Sequence, residues 1–157
     1  MEQDITIHVC KSLEDFNIAK SITKDYIEWL GMNLDFQNID KEFKVFETMY
    51  GNPDGCFIYA TVEGEVFGGV AIRKLEPGIC EMKRLFVYDT FQRRGFGRVL
   101  CDKIISISRE LGYQKMRLDT VSKLESAIVL YEKIGFYKIE AYYENPDLTV
   151  RYMEMEL

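Results

Sequence analysis

The sequence predicts an α/β (α+β) fold built on a mixed, mostly antiparallel central sheet of about seven strands with helices on both faces. Three features carry that prediction. The apolar period switches between two and about 3.6 residues, in the order β-α-α-β-β-β-α-β-α-β-β. Three central strands follow one another through tight, glycine-bearing turns, which makes them antiparallel neighbours. A strand-helix-strand crossover comes next, and a crossover of that kind joins parallel strands.

Ile5, Ile7 and Val9 alternate with Thr6, His8 and Cys10, which is a first strand. Ser12 followed by Asp15 is a weak capping box. From there Leu13, Phe16, Ala19, Ile22, Tyr26, Ile27 and Leu30 keep helical spacing until Gly31. A polar stretch over 33–38 leads to a second helix with Phe43, Phe46, Met49 and Tyr50 on its apolar face. Gly51-Asn52-Pro53-Asp54-Gly55 stops it. Residues 56–62 and 65–75 read as strands around a Glu63-Gly64 hairpin turn. Gly68-Gly69 inside the second of them marks a bulge or a close backbone approach. Beyond Glu76-Pro77-Gly78 a strand covers 79–88. A long helix runs from near Gly95 to Leu111, with Val99, Leu100, Ile104 and Leu111 inward and Gly112 as its cap. Residues 115–121 form a strand and 124–134 a helix capped by Gly135. Two closing strands, 137–143 and 149–156, flank Asn145-Pro146.

The 157 residues, with no linker, low-complexity tract or repeat, read as one domain, 1–157. Ten Phe, ten Tyr and one Trp supply a real aromatic core and argue against disorder. The net charge of −6 disfavours nucleic acid and anionic membrane as partners. A single histidine, His8, excludes a multi-histidine zinc site and thins the case for a Ser-His-Asp triad, so no metal is expected. Cys10, Cys56, Cys80 and Cys101 form no C-x-x-C pair. They read as reduced, buried thiols, including Cys80 beside Glu81, and point to a reducing compartment. An acidic N-terminus running straight into a strand does not read as a signal peptide, and no apolar run approaches the ~18 residues of a membrane span. The expected location is cytoplasmic.

The chemistry concentrates in one turn. Gln92-Arg93-Arg94-Gly95-Phe96-Gly97-Arg98 lies between a strand and the start of a helix. The first turn of a helix carries N–H groups without internal partners at a positive dipole end. Glycines let a ligand approach that backbone, and Arg93, Arg94 and Arg98 reverse the local charge of an acidic chain. The pattern predicts a phosphate or pyrophosphate site, against the competing reading of a solvated basic turn. No Gly-Lys-Ser/Thr is present for a Walker loop, and a dinucleotide fingerprint would need a glycine where Leu100 stands.

Gln92-x-x-Gly95-x-Gly97 matches the Q/R-x-x-G-x-G/A signature of the GNAT superfamily of acetyl-CoA-dependent N-acetyltransferases. The segment Cys80-Glu81-Met82-Lys83-Arg84-Leu85-Phe86-Val87 resembles the strand before that signature. Ala127-Ile128-Val129-Leu130-Tyr131-Glu132-Lys133-Ile134-Gly135-Phe136 resembles the A-x-x-L-Y-x-x-x-G-F helix after it. The resemblance covers nearly the whole chain and extends to the order of elements.

By that resemblance the cofactor, acetyl-CoA, places its pyrophosphate on the backbone of Arg93 through Arg98. Its pantetheine arm lies along Leu85, Phe86 and Val87, in a splay between that strand and 115–121. The Leu85 N–H is expected to polarise the thioester carbonyl, an oxyanion-type role that needs no side chain. Glu81 stands where some members carry a catalytic base, and its competing role is a structural pairing with Lys83 or a neighbouring strand. Tyr131 stands where the family places a donor to the coenzyme sulfur, against simple core packing on the Ala127, Leu130, Tyr131, Ile134 face. Leu124 departs from an asparagine that contacts pantetheine in many members, and Ser122 or Ser126 could replace it.

The implied reaction moves an acetyl group to a primary amine by direct attack in a ternary complex. The alternative is a CoA-binding regulatory module of the same fold without turnover. The acceptor, a small-molecule or protein amine, is expected between the first two helices and the last loop. Those segments offer Tyr26, Trp29, Asn33, Asp35 and Phe36, then Tyr142, Tyr143, Glu144, Asn145 and Asp147. Amino acid, polyamine, aminoglycoside and protein N-terminus all remain compatible, as does a homodimer.

Overall fold

The computed structural model describes residues 4–31, 36–122, 124–143 and 149–157, with the side chains of 36–38 left aside. Among the described residues seven strands form one sheet. These are β1 (Ile5–Val9), β2 (Cys56–Val62), β3 (Glu65–Glu76), β4 (Ile79–Val87), β5 (Lys115–Val121), β6 (Tyr137–Ile139) and β7 (Val150–Glu156), in the spatial order β1-β2-β3-β4-β5-β7-β6. The β4–β5 pair is parallel and the others are antiparallel. The expected mixed, mostly antiparallel sheet is what forms.

Alternating side chains of each strand feed two cores. On one face Ile58, Phe67, Val70, Ile72, Met116 and Leu118 pack against helices α4 (Phe96–Glu110) and α5 (Glu125–Ile134). On the other, Phe57, Ala71 and Phe86 meet α1 (Leu13–Leu30) and the short α3 (Phe46–Met49). Helix α1 opens on a complete capping box: Ser12 Oγ accepts the Asp15 N–H at 3.1 Å, and the Asp15 carboxylate accepts the Ser12 N–H at 3.2 Å. Gly31 closes it at φ 65°. All four cysteines are buried and free.

Four expectations change. The second helix begins earlier and is broken: α2 (Phe36–Lys44) ends at Val45, whose φ of −116° and ψ of 19° separate it from α3. Phe43 and Phe46 still stack across the break, at 5.6 Å between ring centroids. Strand β6 stops at Ile139 instead of 143, because Tyr142 and Tyr143 turn away to place their hydroxyls on carboxylates. Leu111 is exposed, so α4 turns Phe96, Leu100, Cys101, Ile104 and Ile105 inward, and Val99 is only partly buried. Asp89–Phe91 forms a 3-10 turn that periodicity did not reveal.

Gly68-Gly69 is a close approach lying between two bulges, one at Phe67 and one on the facing strand at Arg84 and Leu85. The β2–β3 register slips between Ala60 and Thr61, and the β3–β4 register slips between Gly69 and Ala71. A Cβ on Gly68 would sit 2.1 Å from the Phe86 carbonyl oxygen. Gly68→Ala is therefore expected to push β3 off β4 and to cost about 1–3 kcal/mol. Urea unfolding measures the loss, and a stability equal to wild type would show that β4 can yield at Phe86.

Candidate active site

The predicted phosphate turn has the geometry of an anion site. Gly95 is the N-cap of α4 at φ 81°, a left-handed conformation suited to glycine. No side chain caps the helix and no acidic residue lies in its first turn. A Cβ on Gly95 would meet nothing within 4 Å, so the space beside the helix start is open. Gln92 holds the turn from the side: its Nε2 donates to the Val87 carbonyl at 2.9 Å.

The three arginines differ. Arg93, at φ 65°, is exposed. Arg94 lies over the Phe91 and Phe96 rings, 5.6 and 4.8 Å from their centroids. Arg98 Nε pairs with Asp102 at 3.0 Å in an exposed i,i+4 contact, which a stronger anion displaces at little cost. Phe96 is buried and stacks on Phe67 at 4.3 Å, so it offers a ligand its backbone only.

Beside this turn the sheet opens. Pairing between β4 and β5 runs from Ile79 opposite Lys115 to Glu81 opposite Arg117, and no further. On its other edge β4 carries a bulge: Gly69 faces Phe86 but Ala71 faces Lys83, so Arg84 and Leu85 together oppose Val70. Leu85 and Val87 pack toward the α4 core, and Phe86 toward α1. The edge predicted to receive an extended amide arm thus lacks a strand partner over Leu85, Phe86 and Val87.

Glu81 sits where the β4–β5 ladder ends. It is 1% exposed. Its Oε1 accepts from Arg73 Nε at 2.9 Å and lies 3.7 Å from Lys83 Nζ, while Oε2 accepts from the Tyr142 hydroxyl at 2.6 Å. Burial, followed by the Glu81 charge, pushes the Tyr142 phenol far above its usual range. Arg117 lies over the Tyr142 ring at 5.4 Å while its Nε pairs with Glu154 at 2.8 Å. Tyr143 donates to Asp119 on β5, and the rings of Tyr142, Tyr143 and Tyr152 meet edge to face.

Tyr131 lies on α5. It is buried, packs against Phe136 at 5.6 Å, and its hydroxyl makes no hydrogen bond within the described residues. Burial raises its pKa well above the usual tyrosine range, and Cys101, Tyr26 and Asp119 add to the rise. Ser122 lies in the turn after β5, with its N–H on the Thr149 carbonyl at 3.2 Å. Leu124 caps α5 without a side-chain bond, and Ser126 is exposed in its first turn.

On the α1 side, where the acceptor is expected, Tyr26 and Trp29 both pack on Phe86, and Trp29 Nε1 donates to Asp89 at 3.0 Å. A pocket of about 390 Å³ opens there, lined by Asp25, Glu28, Trp29, Phe86, Tyr88 and Asp89 among others. Asn33, Asp35, Glu144, Asn145 and Asp147 lie outside the described residues, as does the side chain of Phe36.

Sequence reading missed three partners. Arg73 faces Glu81 in the β3–β4 register, but the register slips between Lys74 and Glu76, so an even count back from the Glu76-Pro77-Gly78 hairpin puts Lys74 there instead. The Tyr142–Glu81 bond spans 61 residues and left no local signal. The same holds for the pair between Arg84 and Glu42, 42 residues apart.

An uncapped helix start beside a sheet edge that has lost its partner is the arrangement that the resemblance implies for an acyltransferase. The profile of the Acetyltransferase (GNAT) family matches residues 21–136. An uncharacterized N-acetyltransferase of Schizosaccharomyces pombe is 38% identical, over 98% of this chain and 96% of its own. One from Escherichia coli is 31% identical over 66% of this chain and 61% of its own. The crystal structure of an acetyltransferase from Streptococcus agalactiae shares the fold at TM-score 0.79 and 22% identity, covering 98% of both chains. So does a GNAT family acetyltransferase from Elizabethkingia anophelis with acetyl-CoA bound, at TM-score 0.71 and 20% identity, again over 98% of both chains. The chain belongs to the GNAT family and is an N-acetyltransferase. No helix among the described residues is long and apolar enough to cross a membrane.

Proposed function

We propose that the protein transfers the acetyl group of acetyl-CoA to a primary amine by direct attack in a ternary complex. The observation that carries this reading is the uncapped, acid-free N-terminus of α4 next to the unpaired β4 edge. Open space at Gly95 fits a pyrophosphate on the N–H groups of the first turn, with Arg93 and Arg98 as flanking cations. The arm then runs along Leu85, Phe86 and Val87 by backbone hydrogen bonding, as an added strand does. Of the two serines, Ser122 in the turn after β5 is partly buried, while Ser126 faces solvent.

When bound, acetyl-CoA supplies an activated acyl group as its thioester. The chain supplies three things. The Leu85 N–H polarises the carbonyl as negative charge grows on its oxygen. Glu81 takes the proton lost by the amine. Because its carboxylate is covered by Arg73, Lys83 and Tyr142, that proton arrives through the Tyr142 hydroxyl, which passes its own proton to Oε2. Tyr131 donates to the departing sulfur. The acceptor approaches from the α1 side, where Asp25, Glu28 and Asp89 surround the Trp29 and Phe86 rings and favour a cationic amine.

A pooled panel of amines, alcohols and thiols tests this, read by CoA thiol release and by product mass. N-acetylated products are expected, and exclusive O- or S-acetylation would refute the reading. Glu81→Gln is expected to lower kcat/KM on the rising limb of its pH profile. Raising the pH should then restore part of the loss, since hydroxide and the amine's own ionisation replace the base. An unchanged profile would assign the first proton to water.

A further inference from the structure

Arg84 sits in the β4 bulge, where it and Leu85 together oppose Val70, and it is held there from outside the sheet. Its φ is 62°, a left-handed conformation that strains a residue with a side chain. Its guanidinium grips Glu42 of α2 with both prongs, Nε to Oε2 at 3.1 Å and Nη2 to Oε1 at 2.8 Å. The side chains are only 15% and 8% exposed. Burial works against the Arg84 charge, yet the bonds to Glu42 outweigh it and its pKa is raised. Among the described residues this fork is the hydrogen-bonded tie between α2 and β4.

A buried ion pair is a poor source of stability, because desolvation offsets most of the attraction. Backbone strain that persists beside a reacting centre has a holding role. Here bulge, left-handed backbone and buried fork converge on the residue that precedes Leu85. We propose that the Arg84–Glu42 pair is a positioning device that sets the bulge so that the Leu85 N–H meets the thioester carbonyl, and that α2 is thereby built into the oxyanion site. This rests on the assignment of the Leu85 N–H made above. Neither side chain touches the reacting atoms. The pair fixes the peptide between residues 84 and 85, and a peptide rotated out of place donates poorly.

The test uses acetyl-CoA labelled with ¹³C at the thioester carbonyl, its stretching frequency read by infrared difference spectroscopy on the bound complex. In the wild type the frequency should fall below that of free acetyl-CoA. The double variant Glu42→Leu/Arg84→Met removes both charges at similar bulk, so it leaves no unpaired buried ion and is expected to fold. Its carbonyl frequency should move back toward the free value and its kcat should fall about tenfold or more. KM for acetyl-CoA should change little, because the phosphate turn is untouched. Glu42→Gln should shift frequency and kcat in the same direction. Wild-type frequency and kcat in a folded double variant would overturn the proposal and leave the pair a packing element. A wild-type complex with no frequency shift would overturn the Leu85 assignment itself, and the two failures are thereby distinguished.

Discussion

Gly97→Glu should abolish CoA binding while leaving the chain folded. The first turn of α4 presents backbone N–H groups, has no capping side chain and holds no carboxylate. A glutamate at position 97 would place its own anion at the turn where the pyrophosphate is proposed to sit. At close contact and an effective dielectric of about 20, one such charge opposes a phosphate by about 4 kcal/mol, or roughly a thousandfold in affinity. Space is not the limiting factor, since a Cβ at Gly97 meets only Leu130 Cδ2, at 3.3 Å, and a methyl terminus yields easily. Gly97→Ala is thus the control and should bind CoA with nearly wild-type affinity. Gly95→Glu should also lose binding, with the added strain of a side chain at φ 81°. Calorimetric titration with CoA separates these outcomes. Retained affinity in both glutamate variants would move the phosphate site elsewhere.

Those glycines were legible in the sequence because the requirement they meet is local. A turn with two glycines, flanked by a strand and a helix, states its own geometry within seven residues. The same is true of Gly68, whose missing side chain is required by one carbonyl on the next strand. Helix and strand periods are also local, and they placed every core element of the sheet. Where the reading failed, the deciding contact was distant. Strand β6 ends early because Tyr142 answers to Glu81 and Tyr143 to Asp119, neither of them near in sequence. The break at Val45 was hidden because Phe43 and Phe46 keep helical spacing and stack across it. Leu111 has the right period for the core but sits past the last turn that touches the sheet, as the cap residue of α4. Glu81 could be named as a candidate from its strand, but its cover by Arg73 and Tyr142 could not. That cover is why the proposed proton path runs through the Tyr142 hydroxyl rather than directly to Glu81.

Tyr131→Phe should leave acetyl-CoA binding nearly intact and lower turnover by roughly 10²–10⁴-fold, the range for a positioned acid. The substitution removes one hydroxyl and keeps the ring that packs on Phe136. That hydroxyl has no partner within the described residues, so its loss breaks no bond in the free protein. Burial and the nearby Asp119 charge hold the phenol neutral far above neutral pH. A neutral O–H is therefore available to the sulfur across the whole working range, and Tyr131 should contribute no limb to the pH profile. The sign follows from the direction of the shift: a raised phenol pKa moves ionisation upward and out of range. Raising the pH should rescue part of the Glu81→Gln defect but none of the Tyr131→Phe defect, because the roles proposed for the two residues are opposite proton transfers. Both measurements need conditions in which chemistry limits the rate, since slow CoA release would mask either loss. Wild-type turnover in Tyr131→Phe under those conditions would return the residue to the core, as one more aromatic side chain on the inward face of α5.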